Sequence, residues 1–229
     1  MNRLKLYLYI FLGILFFTKI AMAYEFPVLS DNPLLPPFHQ IDKKRLCAYP
    51  QIIIYGINSY LQVKDKPCPN QVRIITGILY LSRVYHPSNI YISPLPDPKT
   101  LRAFGDRFTV IYSNHLGFYV EELKKYYDLK IVKLKSIYDL EKILPQVLKE
   151  RRKIILLPDE FLLDERGLAI LRYWLKKYPH ATIINLLGLN FEYPKMITIP
   201  FSQRKYLEEI LKFLKSEDLE RGKIYYVVY

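Results

Sequence analysis

The feature that most constrains this fold is the run Ile154-Ile155-Leu156-Leu157, set between two stretches of helical periodicity. A strand with one wet face alternates apolar and polar side chains, whereas an unbroken apolar run needs cover on both faces. Upstream, Leu140, Ile143, Leu144, Val147 and Leu148 recur at the spacing of one helix face. Downstream, Leu168, Leu171, Trp174 and Leu175 do the same between Asp164, a helix cap, and Lys177. Helices of this length between strands are crossovers, and crossovers join parallel strands.

The same alternation runs from Phe108 to the last residue. Strands are expected at Thr109–Tyr112, Lys130–Leu134, Lys153–Leu157, Ala181–Leu187, Ile197–Ile199 and Lys223–Tyr229. Helices are expected over Gly117–Tyr127, over a stretch ending near Glu150, from Asp164 to Lys177, and over Gln203–Lys215 behind a Ser202 cap. Pro145 inside the second of these marks either a kink or a helix start. Before Phe108 the pattern is less regular. Gln51–Tyr55 reads as a buried strand, Gly56-Ile57-Asn58-Ser59 as a turn, Tyr60–Val63 as a short helix, Val72–Leu81 as a β-rich stretch and Ile90–Ser93 as a short strand. Tyr24–Pro50 carries Pro27, Pro33, Pro36, Pro37 and Pro50 without a clear period, and reads as a tether or an irregular packing arm. The expected class is α/β, a Rossmann-like, mostly parallel sheet with helices on both faces.

The first 23 residues carry a different message. Arg3 and Lys5 precede an apolar run from Leu6 to Phe17, and Ala21-Met22-Ala23 closes the segment. That is the pattern of a secretory signal peptide, too short for the roughly 20 apolar residues of a membrane span. The alternative is a retained N-terminal anchor; either way the folded part is expected in the periplasm or outside the cell. Without that segment the formal charge falls from +12 to +9, from 31 basic and 22 acidic residues. Export argues against nucleic acid as the partner of this charge. It reads mainly as a solvated surface, with membrane-surface or anion attraction as a secondary use. Cys47 and Cys68 form an even pair, read as a disulfide in an oxidising compartment and as two thiols otherwise.

Chemistry, if present, belongs at the carboxyl ends of the strands. Four loops qualify: Gly56-Ile57-Asn58-Ser59, Ser113-Asn114-His115, Pro158-Asp159-Glu160 and Gly188-Leu189-Asn190. Polar residues there also serve as caps and turns. Glycine-rich phosphate loops and the serine-hydrolase elbow are missing, and His39, His86, His115 and His180 are scattered without a metal-ligand spacing. Asp159 stands at a strand end like a phospho-acceptor, but the paired acids and late lysine of a receiver domain are not there. No catalytic, cofactor or metal constellation can be assembled, so no enzyme and no cofactor are expected.

Several of these segments resemble ABC-transporter substrate-binding proteins of the periplasmic type I fold. Pro50 to Ser59 is similar to the segment where their first lobe meets ligand. Arg73-Ile74-Ile75-Thr76-Gly77-Ile78 resembles a stretch near their crossover between lobes. Thr109 to Asn114 resembles the start of their second lobe, Ile154 to Asp159 an apolar-apolar-Leu-Pro-Asp motif, and Ser202 to Tyr229 their closing helix and strand. After the leader at 1–23 and the proline-rich arm at 24–49, the resemblance divides the chain into a first lobe at 50–107, truncated relative to the family, and a Rossmann-like second lobe at 108–229. It implies a small molecule bound without covalent chemistry by Asn58, Ser59, Ser113, Asn114, Asp159 and Asn190, with Tyr112 as a stacking wall. The implied partner is an ABC permease. The shortened first lobe leaves a second expectation open, an envelope interaction module without ligand that binds another envelope protein.

Overall fold

A computed structural model describes residues 26–31, 34, 38–150, 152–186, 193–216 and 218–229. The leader segment and Asn190 lie outside these. The chain is α/β, with two mostly parallel sheets of six and five strands flanked by helices. It divides between Ile74 and Ile75 into two compact units, whereas the sequence reading changed lobes at Phe108.

In the first unit, β1 (Phe26–Ser30) lies between β2 (Phe38–Gln40) and β3 (Gln51–Tyr55), all parallel. Val28 sits opposite Ile53, and Val28 and Ile52 to Ile54 are buried. The expectation of an irregular arm is thus corrected. Pro27 lacks a donor, but the ladders to Phe38 and Ile53 still pin β1 through its neighbours. The helix α1 (Ile57–Leu61) starts three residues before the expected Tyr60 because Gly56, at φ 90°, takes a left-handed turn that bulkier residues resist. Cys47 and Cys68 are disulfide-bonded, their Cα atoms 5.2 Å apart, joining the 3-10 turn Lys43–Ala48 to the loop beyond α1. The Gln71 amide donates to the carbonyls of Leu46 (2.7 Å) and Tyr49 (2.9 Å), and Arg73 donates to Val63 (3.1 Å). The same loops are therefore tied by both a covalent link and hydrogen bonds. The strand β4 (Val72–Thr76) lies where the units divide, and Gly77 at φ 69° stops it short of Leu81.

The second unit contains β5 (Ile90–Pro96) paired with β11 (Ile224–Val227), and a five-stranded parallel sheet. The sheet comprises β6 (Arg107–Tyr112), β7 (Asp128–Lys133), β8 (Lys153–Leu156), β9 (Ile183–Asn185) and β10 (Met196–Thr198). Their spatial order is β10-β9-β8-β6-β7, so the winding direction reverses between β6 and β8. Alternate residues feed two cores. Phe108, Val110, Ile155 and Ile184 pack with α2 (Gly117–Lys124) through Tyr119, Val120 and Leu123. Ile111, Ile154, Leu156 and Ile183 pack with α3 (Ile137–Lys149) through Leu140, Leu144 and Leu148, and with α5 (Glu165–Lys177) through Leu171 and Leu175. That double burial is why the strands read as continuous apolar runs.

Helix ends follow local chemistry. Ser136 and Asp139 form a capping box on α3, which continues through Pro145 because Leu144, Val147 and Leu148 anchor it in the core. Asp164 caps α5, accepting from the Arg166 amide at 2.9 Å. Between Asp159 and Asp164 runs one turn, α4 (Glu160–Leu163). Gly167 crosses α4 so closely that an added Cβ would lie 1.7 Å from the Phe161 carbonyl oxygen. The last helix, α6 (Gln203–Lys215), is capped by Ser202 and buries Tyr206. The Tyr206 hydroxyl accepts from the Gly77 amide (2.8 Å) and donates to the Ile92 carbonyl (2.9 Å).

Candidate functional site

The reversal between β6 and β8 leaves a crevice outside their carboxyl ends, the place where doubly wound sheets bind ligands. Two loops meet there. Ser113 follows β6, and its amide donates to a carboxylate oxygen of Asp159. Asp159 follows β8, and its other oxygen accepts from the Phe161 amide at 3.0 Å. The Asp159 side chain is fully buried. It therefore caps α4 and binds the two loops together, and the groups that face outward are others.

Those are Tyr80, Arg83, His115 and Glu160. Arg83, at the end of the 3-10 turn Leu81–Arg83, reaches Glu160 Oε2 at 3.2 Å, His115 Nδ1 at 3.3 Å and His115 Nε2 at 2.8 Å. His115 Nε2 lies 3.3 Å from Glu160 Oε1. The guanidinium lies 5.2 Å from the centroid of the Tyr80 ring, and the Tyr80 hydroxyl donates to the Pro158 carbonyl at 3.2 Å. Burial first, then the negative charges of Asp159 and Glu160, raise the Tyr80 phenol above its ordinary pKa, with Arg83 opposing. The phenol remains a donor at neutral pH. The Arg83 side chain is half exposed and that of Glu160 about a third. The set combines a cationic fork, an imidazole, a carboxylate and a flat ring, which suits a small polar molecule with an acidic group and an amine or hydroxyl.

The residues singled out from sequence separate into three groups. Ser113, Asn114 and Asp159 come together here, with Asn114 exposed and the Ser113 hydroxyl enclosed without a hydrogen-bond partner among the described residues. Tyr112 is 8% exposed, its ring packed in the core with Phe108 and Leu116, so it offers no stacking wall. Asn58 and Ser59 belong to the other unit, where Asn58 is exposed and Ser59 is buried at the start of α1. His115 and Glu160 lie in the strand-end loops that polarity marks, beside the buried Ser113 and Asp159. Tyr80 and Arg83 lie in a segment with no periodic signal. Among the described residues no three His, Cys, Asp or Glu side chains gather into a metal set.

A second concavity of about 340 Å³ opens at the opposite ends of the same strands, lined by Phe104, Gly105, Asp106, Arg107, Arg152 and Lys153. Its cations are already engaged. Arg107 and Arg152 each lie 3.1 Å from Asp128, and the Lys153 amine donates to the Phe104 carbonyl.

No protein-family model, curated protein or solved structure matches this chain. The likeness to substrate-binding proteins rests on the sequence motifs alone.

Proposed function

We propose that this chain is an exported, non-catalytic binding protein that holds a small polar ligand at the carboxyl ends of β6 and β8, in the manner of proteins serving ABC-type transport. The observation that carries the reading is the Arg83–His115–Glu160 cluster at the point where the strand order reverses. A ligand carboxylate replaces Glu160 on the Arg83 fork, and Glu160 turns to the ligand's amine or hydroxyl. Asn114, exposed beside them, supplies a further amide. The Cys47–Cys68 bond supports an oxidising compartment, as does the leader pattern.

A thermal-shift panel of amino acids, hydroxy acids and short peptides tests it. A ligand at 100 times its dissociation constant stabilises the folded state by about 2.7 kcal/mol, a shift of several degrees. At least one member should produce that shift, and Arg83→Ala and Asn114→Ala should remove it while leaving the ligand-free melting temperature nearly unchanged. A flat panel, or an undiminished shift in Arg83→Ala, contradicts the reading.

A further inference from the structure

The last turns of α5 and the loop after it bring exposed cations and aromatic rings together on one patch. On α2 and α6, some lysines near the helix end pair with a glutamate one turn away: Lys124 with Glu121 (2.5 Å), Lys125 with Glu122 (2.6 Å), and Lys212 with Glu209. Residues 172–180 read Arg-Tyr-Trp-Leu-Lys-Lys-Tyr-Pro-His and contain no acid. Lys176 and Lys177 are exposed, and neither has an ion-pair partner among the described residues. Lys195 adds a further cation, its amine 3.5 Å from the His180 carbonyl oxygen.

Rings run through the same patch. Tyr173, 54% exposed, meets Trp174 edge-on at 5.1 Å. Trp174 lies 6.1 Å from Tyr178, which lies 5.9 Å from His180. The Lys177 ammonium sits 4.3 Å from the Tyr173 centroid and 5.1 Å from that of Trp174. Trp174 and Tyr178 are anchored against the core beneath α5, and the Tyr193 hydroxyl fixes the loop through the carbonyls of Tyr178 (2.9 Å) and Ala181 (2.7 Å).

Lysines at a helix carboxyl end complement the helix dipole, and that accounts for their sign. It does not account for the exposed Tyr173 ring and the part-buried Trp174 and Tyr178 rings threaded between them. Amphipathic rings with lysines stretched over them are the composition of a membrane-water interface, where ring bodies sit among headgroups and ammonium groups meet lipid phosphates. The patch lies on the outer side of a helix and not in a cleft, so it fits an extended partner better than a small one.

We propose that the carboxyl end of α5, through Lys176, Lys177, Tyr173 and the Trp174–Tyr178 rings, docks this protein on an anionic phospholipid surface. The location beside such a surface rests on the export reading above; the docking does not depend on it in vitro. Flotation with vesicles of phosphatidylglycerol and phosphatidylethanolamine, against phosphatidylcholine alone, tests it. Wild type should float with the anionic vesicles at low salt and not with phosphatidylcholine. The double substitution Lys176→Glu with Lys177→Glu should weaken partitioning at least about tenfold, from roughly 1 kcal/mol per basic residue. Tyr173→Ser should weaken it by a smaller factor; both variants should remain folded, the double variant melting slightly lower because two acids oppose the helix dipole. All proteins carry the same N-terminus. Flotation of the double variant equal to wild type therefore overturns the proposal, since it assigns binding to the leader or another face. Wild type that stays unbound, or that adheres to soluble polyphosphate but not to vesicles, overturns it too.

Discussion

The two ends of the five-stranded sheet carry similar numbers of ionisable residues and use them in different ways. At the amino end, Arg107 and Arg152 share Asp128, Lys130 pairs with Glu150, and the Lys153 amine serves the Phe104 carbonyl. These pairs are at the surface and contribute little to stability. At the carboxyl end a single buried carboxylate, Asp159, fixes two loops through the Ser113 and Phe161 amides, and the cluster of Tyr80, Arg83, His115 and Glu160 stands on that foundation. One end is closed by its own pairs. The other is rigid underneath and exchangeable on top, which is the combination a binding site needs.

Substitutions should separate these ends by the size and kind of their effects. Asp159→Ala leaves two amide donors without partners and removes the cap of α4, and should lower unfolding free energy by about 3 kcal/mol in urea titration. Asp159→Asn keeps one acceptor oxygen but turns an NH2 against the other backbone N–H, so it should recover only part of that loss. A loss near zero in Asp159→Ala would mean that the carboxylate does not tie the loops. Next is Gly167→Ala at the corner where α5 crosses α4. The added Cβ meets the Phe161 carbonyl, so backbone must move, at a cost of about 2 kcal/mol. Tolerance of alanine there would show that the corner is soft.

Arg83→Ala should act in the opposite sense, with a stability change below about 1 kcal/mol for a half-exposed pair but loss of ligand response. The smallest effect is expected at the amino end. Arg152→Ala should leave ligand response unchanged and lower stability slightly at neutral pH, a difference from wild type that disappears in acid. Hydrogen bonding to Arg152, the largest cause, and then to Arg107 holds the Asp128 carboxyl below its ordinary pKa. A lowered folded pKa gives a contribution that is present above the ordinary carboxylate range and is lost as pH falls through the folded value. Arg152→Ala should therefore flatten the acid limb of a stability-pH profile; an unaltered limb would remove Asp128 from the account.

What was legible in the sequence follows the same physical line. Ile154 to Leu157, the Asp164 cap and the stripe through Leu171 and Leu175 announced the second unit, because double burial and helix capping leave local signatures. β1 and β2 left none. Their pairing partners are distant in sequence, and the prolines around them resemble a linker. The strand-end rule located the Ser113 and Asp159 loops, yet polarity alone could not tell a buried tie from an exposed contact. Asp159 is the tie, and His115 and Glu160 beside it are the part-exposed groups. Arg83 arrives from a 3-10 turn more than 30 residues before His115, a convergence only the fold creates.

The most direct measurement of the central claim is native mass spectrometry of wild type and Arg83→Ala, each purified from its own envelope under the same conditions. A small molecule is expected bound to wild type and absent from Arg83→Ala, with both proteins folded. Wild type that carries nothing, or Arg83→Ala that retains the same adduct, would contradict a ligand site at the carboxyl ends of β6 and β8.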